Sequence, residues 1–214
     1  MASGLPFRTR LGESGAAQPI HCGRVTGKRL LDVPAPAPDR LAMEIRTVRT
    51  GEAAELRAVR LRALLDSPEA FGAVHAEEER LPDSAWVERA EPSEPGDERV
   101  TFVAESETGW VGMAMSRLER SDPSRAGLYG LWVEPAARGG GVGRALTEAV
   151  VGWAQSRKAG TLSLWVVVSN ASAIGLYRRL GFRETGRTML LARDPSIVEI
   201  EMELALGASP ERVT

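Results

Sequence analysis

The stretch 138–143 combines one cation with a run of glycines and reads Arg-Gly-Gly-Gly-Val-Gly. Glycines allow successive backbone N–H groups to point into one concavity. A helix that begins there adds the partial positive charge of its N-terminus. The chemistry that this combination favours is the binding of a phosphate group.

The residues on either side predict a strand before the glycines and a helix after them. Residues 128–133 form a short apolar run rich in strand formers, and Pro135 ends it because proline cannot donate to a ladder. After the glycines, apolar residues recur at the spacing of one helical face, namely Val142, Ala145, Leu146, Ala149, Val150 and Trp153. A strand therefore leads through a glycine-rich turn to a helix N-terminus.

Two familiar phosphate-binding loops do not match this stretch. The P-loop requires lysine and then serine or threonine after its last glycine, where this chain has Arg144 and Ala145. The dinucleotide fingerprint requires Gly-x-Gly-x-x-Gly, and no start within the stretch ends on a glycine. The pattern present is Arg-x-x-Gly-x-Gly, formed by Arg138, Gly141 and Gly143. Taken alone, it is also compatible with a merely flexible turn.

A second pattern follows a nearly continuous apolar segment, 161–168, which predicts a strand buried on both faces. Residues 170–182 read Asn-x-x-Ala-x-x-x-Tyr-x-x-x-Gly-Phe, and they predict a short helix with Asn170 as its N-cap and Gly181 just past its end. The two patterns, in this order, resemble the two motifs of the GNAT superfamily of acyl-CoA-dependent N-acyltransferases. The resemblance covers residues 44–206.

The resemblance implies an α/β fold in which helices pack on both faces of a central mixed β-sheet. In this family the central strand carries a bulge and splays away from the next strand, which leaves a V-shaped opening. Acetyl-CoA lies in this opening as the co-substrate.

By the same resemblance, three segments bind the donor. Leu131 and Val133 offer backbone groups to the pantetheine arm, residues 138–144 hold the pyrophosphate, and Asn170 borders the pantetheine. Tyr177 faces the thioester sulfur as the catalytic acid, with a buried packing role as its alternative. The expected cofactor-binding set is Leu131, Trp132, Val133, Arg138, Gly139, Gly140, Gly141, Val142, Gly143, Arg144, Asn170, Ala173 and Tyr177.

The implied reaction is N-acetylation of a primary amine by direct attack in a ternary complex. Near neutral pH, losing a proton costs a lysine amine of pKa ~10.4 roughly 4 kcal/mol, and an α-amine of pKa ~8 under about 1 kcal/mol. A base is therefore useful, but the central strand offers no carboxylate at 127–130. Glu134 lies beside the phosphate loop and Glu105 at the end of its strand, and the base stays unassigned.

The acceptor is not readable from the sequence. Its binding side is expected among loops around Phe71, Trp86 and residues 91–97, which carry no recognisable code. A protein N-terminus, a lysine, a polyamine and an antibiotic all stay open. The rival from another class is a non-enzymatic acyl-CoA-binding regulatory module, which would not need the phenol of Tyr177.

The other elements follow from local patterns, and together they predict the order β, α, α, β, β, β, α, β, α, β, β. Thr50 is expected to cap the first helix, residues 120–126 to form a polar connection, and Gly160 to mark the end of the long helix. The remaining strands are expected at 44–48, 99–105, 110–118, 182–187 and 197–206, and the second helix at 82–90.

Composition limits the other function classes. A net charge of −2 predicts no nucleic-acid partner, and no apolar run is long enough to span a bilayer. Cys22 is the single cysteine, and the two histidines, His21 and His75, are distant, so neither a disulfide nor a metal site is expected. We expect a cytoplasmic monomer or homodimer that acts on an amine without a metal.

The two ends of the chain differ from its middle. Residues 1–42 carry scattered prolines and no sustained periodicity, which predicts a disordered extension, with a targeting peptide as the alternative. Met43 precedes the first strand-like segment and is a candidate start codon. The expected organisation is an extension at 1–42, a catalytic domain at 43–206 and a polar tail at 207–214.

Overall fold

The computed structural model describes residues 43–91 and 98–207, which form one seven-stranded sheet with helices packed against it. The expectations for 1–42, for the loop at 92–97 and for the tail beyond Gly207 fall outside these residues. In chain order the elements are β1 (Glu44–Thr47), α1 (Ala53–Asp66), α2 (His75–Glu79), α3 (Asp83–Ala90), β2 (Arg99–Ser106), β3 (Gly109–Glu119), β4 (Asp122–Val133), α4 (Val142–Ser156), β5 (Thr161–Val167), α5 (Ala171–Arg179), β6 (Arg183–Leu191) and β7 (Asp194–Ala205).

The strand order is β1-β2-β3-β4-β5-β7-β6, and only the central pair, β4 and β5, is parallel. That pairing is short, running from Arg125 opposite Thr161 to Gly127 opposite Ser163. Beyond Gly127 the two strands separate, so the edge of β4 that faces β5 is unpaired over residues 128–133. The mixed sheet and the splayed central strands expected from the resemblance are therefore confirmed.

A bulge in β4 turns the strand just where it leaves β5. The register with β3 shifts between Met113 and Met115, and Gly130 lies in the left-handed region with φ +60°. A Cβ at Gly130 would come within 2.6 Å of the Met115 side chain, which explains the need for glycine. Because the bulge adds one residue, the alternation of side chains that face α4 shifts by one position along the strand. These side chains are Ala126 and Leu128 before the bulge, and Leu131 and Val133 after it.

Two hydrophobic cores lie on opposite faces of the sheet. In one core, α4 and α5 pack against β4, β5 and β7. The helices contribute Leu146, Val150, Ile174 and Tyr177 to this core. In the other, α1 and α3 cover β2 and β3. Helices thus cover both faces, as expected, and the opening between β4 and β5 lies between the two cores.

Several element boundaries differ from the sequence expectation. The first helix begins at Ala53 with Glu52 as its N-cap, not at Thr50. The Glu52 carboxylate accepts a hydrogen bond from the Arg49 N–H at 2.8 Å and forms an ion pair with Arg46. These two contacts hold Glu52 in place at the start of the helix. The long helix ends at Ser156, four residues before Gly160, because Lys158 adopts the left-handed conformation (φ 62°) there.

Strands also extend into segments read as loops. The expected connection at 120–126 is mostly strand, since β4 begins at Asp122 and pairs with β3 from there. A short helix, α2, was not predicted, and it follows a single 3₁₀ turn at Pro68–Ala70. The cap of α5 is confirmed, because the Asn170 side chain accepts from the Ala173 N–H at 3.0 Å. Gly181 follows that helix with φ +93°.

Candidate active site

The glycine-rich loop presents unpaired backbone donors at the start of α4. Gly139 (φ +80°) and Gly141 (φ +91°) both adopt the left-handed conformation, and Gly141 is the N-cap. The first intrahelical bond joins the Ala145 N–H to the Gly141 carbonyl at 3.0 Å. The amides of residues 142–144 therefore have no partner within the helix. This arrangement suits a phosphate group.

A groove of about 650 Å³ begins at this loop and runs between the end of β4 and α5. Most of the sequence-predicted donor residues lie on its wall, namely Leu131, Trp132, Val133, Arg138, Gly139, Gly141, Val142, Gly143, Arg144, Asn170 and Ala173. Gly140 is not among the lining residues, and Tyr177 lines an adjoining cavity instead. Residues 131–144 and residues 170–173, which are separated by a helix and a strand in the chain, are thus brought together around one groove.

The Arg138 side chain does not point freely into this groove. Its Nε donates to the Val133 carbonyl at 2.9 Å, and its guanidinium pairs with Asp66 at the end of α1. Asp66 also accepts from the Trp132 indole at 2.8 Å and from the Ser67 hydroxyl at 2.7 Å. In this structure Arg138 braces the loop against α1. The backbone amides of the loop, together with Arg144 and Arg179, are the other donors along the groove.

Asp66 is ionised in this arrangement. Burial alone would raise the pKa of its carboxyl, but the hydrogen bonds from Trp132, Ser67 and Arg138 outweigh burial and lower the pKa. Three donors from three segments therefore converge on one carboxylate that no sequence pattern marked.

A second cavity, of about 380 Å³, adjoins the groove at the opening between β4 and β5. Phe71, Leu131 and Asn170 line both spaces. Tyr177 reaches the second cavity from α5, whereas Tyr129 reaches it from the other face of β4. The cavity therefore passes through the sheet where the central strands separate.

Tyr177 is largely buried, with 7% of its surface exposed. Burial raises the pKa of its phenol, so the hydroxyl is neutral at physiological pH. Among the described residues nothing hydrogen-bonds to this hydroxyl, and its ring lies 5.6 Å from that of Phe182. A neutral phenol on the wall of the second cavity can donate a proton.

Of the expected acceptor-side residues, only Phe71 lies at the site. The Phe71 carbonyl accepts from the Arg193 Nε at 2.7 Å, so the turn before β7 holds this loop in place. Trp86 is wrong as an acceptor residue, because its side chain is 2% exposed in the core between α1 and α3. The rest of the third expected loop, 92–97, lies outside the described residues.

The two carboxylates considered as bases are placed elsewhere. Glu105 accepts from the Arg46 Nε at 2.5 Å, and this hydrogen bond lowers the pKa of its carboxyl. Glu134 lies 3.7 Å from the Arg62 Nε. Neither residue lines the groove or the second cavity.

Glu199 is a functional candidate that the sequence reading missed. It lies on β7 and lines the second cavity together with Tyr177. Burial raises the pKa of its carboxyl. A signal was available, because Glu199, Glu201 and Glu203 alternate along the strand and so share one face of the sheet.

The described residues hold no group of histidine, cysteine, aspartate and glutamate side chains placed to bind a metal ion. Among the same residues, no helix is long and apolar enough to cross a membrane.

Comparison with known proteins identifies the class to which this fold and site belong. The family model described as "Acetyltransferase (GNAT) family" matches residues 61–182, which include both motifs. The chain belongs to the GNAT family of acetyltransferases.

Individual relatives agree with this assignment. The chain is 30% identical over 174 residues to a mycothiol acetyltransferase of Acidothermus cellulolyticus, a match that covers 75% of this chain and 50% of that protein. It is 32% identical over 107 residues to the [ribosomal protein bS18]-alanine N-acetyltransferase of Escherichia coli, covering 50% of this chain and 70% of that one. A further match covers 31% of the mycothiol acetyltransferase of Amycolatopsis mediterranei. The chain therefore spans half or less of the length of the two mycothiol acetyltransferases named here.

Solved structures share the fold. A GCN5-related N-acetyltransferase from Kribbella flavida superposes with a TM-score of 0.62 at 26% identity, covering 77% of this chain and 98% of that one. The ribosomal-protein-S18-alanine N-acetyltransferase from Escherichia coli superposes with a TM-score of 0.56 at 20% identity, covering 80% and 99%.

Proposed function

We propose that this protein transfers the acetyl group of acetyl-CoA to a primary amine by direct attack in a ternary complex. The observation that carries the proposal is the junction of two spaces at the opening between β4 and β5. The groove begins at the glycine-rich loop, and the second cavity reaches through the sheet to the opposite face. Donor and acceptor can therefore be bound at the same time, each in its own space.

The groove is suited to a CoA thioester at both of its ends. The unpaired amides before α4 are donors for the pyrophosphate. The free edge of β4 over 128–133 offers backbone groups to the amides of the pantetheine arm, in the way that a neighbouring strand would pair with it. Bound there, acetyl-CoA supplies an acyl carbonyl activated as a thioester.

Tyr177 is proposed as the acid that protonates the departing thiolate. A thiol has a reference pKa near ~8.5 and a tyrosine near ~10. Burial keeps the Tyr177 phenol protonated and makes it a weaker acid than a free tyrosine, so its proton moves to sulfur only as negative charge develops there. The residue lines the second cavity, and its hydroxyl has no competing partner among the described residues. A purely structural aromatic at this place would not need the hydroxyl.

The acceptor is proposed to be a primary amine, either of a small molecule or of a polypeptide. The named relatives acetylate mycothiol in one case and a ribosomal protein alanine in the other. These acceptors differ in size, and both belong to the candidates for this chain. The cytoplasmic location and the monomeric or dimeric state stay predictions.

The test is CoA release by the purified full chain, followed with a thiol reagent, against a panel of amines. The panel includes alaninamide, a peptide with an N-terminal alanine, a lysine peptide and spermidine. We expect turnover with at least one amine and a product heavier by one acetyl group. Tight acetyl-CoA binding without CoA release from any amine would instead favour the non-enzymatic binding module.

A further inference from the structure

We propose that Glu199 forms the acceptor subsite, where its carboxylate binds the incoming ammonium group and takes its proton. The inference rests on the proposed amine acetylation and deepens it. It assigns the base that the central strand lacks, and it places that base on β7. The acceptor class that follows is an amine that is protonated at neutral pH.

Glu199 differs from the two carboxylates that share its face of β7. Glu201 accepts from the Thr185 hydroxyl at 2.7 Å and from the Arg187 Nε at 2.5 Å. Glu203 is paired with Arg125. Among the described residues Glu199 has no ion pair and no hydrogen bond, so its carboxylate is available to a ligand.

The position of Glu199 within the sheet explains why it lacks a partner. Its neighbours across the sheet are Val167 on β5 and Met189 on β6, both apolar. These neighbours partly remove the carboxylate from water without offering a hydrogen bond. An unpaired carboxylate in such surroundings favours a cation from outside the protein.

Glu199 also lies on the side of the opening from which an acceptor would approach. The cavity that it lines is the one reached by Tyr177 from α5. The acid and the base would therefore contact one reaction centre from two elements. Of the other charged or titratable groups that face this cavity, Arg60 is paired with Glu78 at 3.1 Å through its Nη2 while its Nη1 has no hydrogen-bond partner among the described residues, and Tyr129 is neutral.

The proton balance of the step is complete with these two residues. The ammonium gives one proton to Glu199, and the freed lone pair attacks the thioester carbonyl carbon. The C–N bond forms, the C–S bond breaks, and the electron pair leaves on sulfur, which takes a proton from Tyr177. The second nitrogen proton returns through water to the phenolate, and the proton on Glu199 passes to solvent.

The first test compares Glu199→Gln with Glu203→Gln, which removes a carboxylate from the same strand and face but outside both cavities. General base catalysis is typically worth ~10²–10⁴-fold. With the best amine of the panel, we expect kcat/KM at pH 7 to fall at least 100-fold in Glu199→Gln and by less than about threefold in Glu203→Gln. Thermal unfolding confirms that both variants are folded.

The pH profile separates catalysis from a structural role. Glu199 acts as a base only when ionised, and burial raises the pKa of its carboxyl, so the wild-type kcat/KM should fall on the acid side with an apparent pKa above the ordinary ~4.3 of glutamate. In Glu199→Gln only the free amine reacts. Its rate should therefore keep rising with pH up to the pKa of the amine itself.

Calorimetry gives a readout that does not depend on turnover. Alaninamide is titrated at pH 7 into the wild type and both variants, each saturated with CoA. We expect the alaninamide Kd to be at least tenfold higher in Glu199→Gln and unchanged in Glu203→Gln.

The outcomes that contradict the proposal are distinct. No binding of alaninamide by the wild type, or equal binding by all three proteins, overturns the subsite. If the wild type is active and Glu199→Gln has the same rate and pH profile, Glu199 is not the base, although the proposed acetyl transfer is unaffected. If the wild type turns over no amine of the panel, the proposed acetyl transfer is itself refuted.

Discussion

Tyr177 combines two properties that the proposed general acid needs, namely a retained proton and a place on the wall of the second cavity. Burial keeps the phenol neutral, and the second cavity, which Tyr177 lines, adjoins the groove that begins at the glycine-rich loop. We expect Tyr177→Phe to lower kcat at least 100-fold, because the ring and its packing on Phe182 remain while the proton is lost. The measurement is kcat with saturating acetyl-CoA and the best amine.

Acetyl-CoA affinity serves as the control for this variant. Calorimetric affinity within threefold of the wild type would show that the groove is intact. If kcat changes less than a few-fold under conditions where chemistry limits turnover, Tyr177 is a core aromatic. The thiolate would then take its proton from water.

At the residue scale, local patterns could predict which segments line the groove, but not the partners of their side chains. Arg138 is predicted to bind the pyrophosphate, and its side chain pairs with Asp66, which lies 72 residues earlier. Such a contact depends on how α1 packs beside β4, which no local pattern encodes. Trp86 was misassigned for the same reason, since a single aromatic in a polar segment carries no sign of the core that it enters.

The glycine-rich loop and α4 act together as one element of the proposed site. Gly141→Asp and Gly141→Asn place side chains of the same shape at a left-handed position, where both residues are tolerated better than most. Only the aspartate adds a negative charge. Opposite one phosphate charge at about 8 Å and an effective dielectric constant near 20, that charge costs about 2 kcal/mol. We expect acetyl-CoA to bind roughly thirtyfold more weakly to the aspartate variant than to the asparagine variant.

This pair of variants is designed to cancel backbone strain. No atom lies within 4 Å of a Cβ built at Gly141, so neither side chain meets a steric barrier. Calorimetry gives the two affinities, and thermal unfolding shows whether the strain is equal. Equal affinities in two folded variants would exclude a phosphate group near this loop.

At the element scale, the type and order of most strands and helices could be predicted from periodicity and caps. The cap of α5 and the glycine after it follow directly from short-range rules. The early start of β4 could not be read, because residues 122–126 are polar and become strand through pairing with β3. A bulge in the central strand is expected through the family resemblance alone, and its place at Gly130 could not be read, since a lone glycine does not reveal a register shift.

At the scale of the whole molecule, the sheet is joined at its centre by a short parallel pairing. β1 to β4 are covered by α1 and α3 on one face. β5 to β7 meet this half over residues 125–127 of β4, through the core under α4, and through the hydrogen bonds that Arg193 donates to the Pro68 and Phe71 carbonyls. A longer pairing would close the opening. The same separation that leaves backbone groups unpaired therefore creates both the groove proposed for the donor and the cavity proposed for the acceptor.

Removal of residues 1–42 tests whether the fold depends on the N-terminal segment. The sequence predicts no strand or helix there, whereas the described sheet, cores and cavities consist of residues within 43–91 and 98–207. We expect a chain that starts at Met43 to keep the thermal midpoint and the acetyl-CoA affinity of the full chain. A matched control starts at Val48 and so lacks β1, including Arg46, which binds Glu52 and Glu105. That control should melt at least ~4 °C lower, since about 1 kcal/mol shifts the midpoint of a domain this size by ~2–4 °C. A comparable drop in the chain that starts at Met43 would show that residues 1–42 contribute to the folded domain.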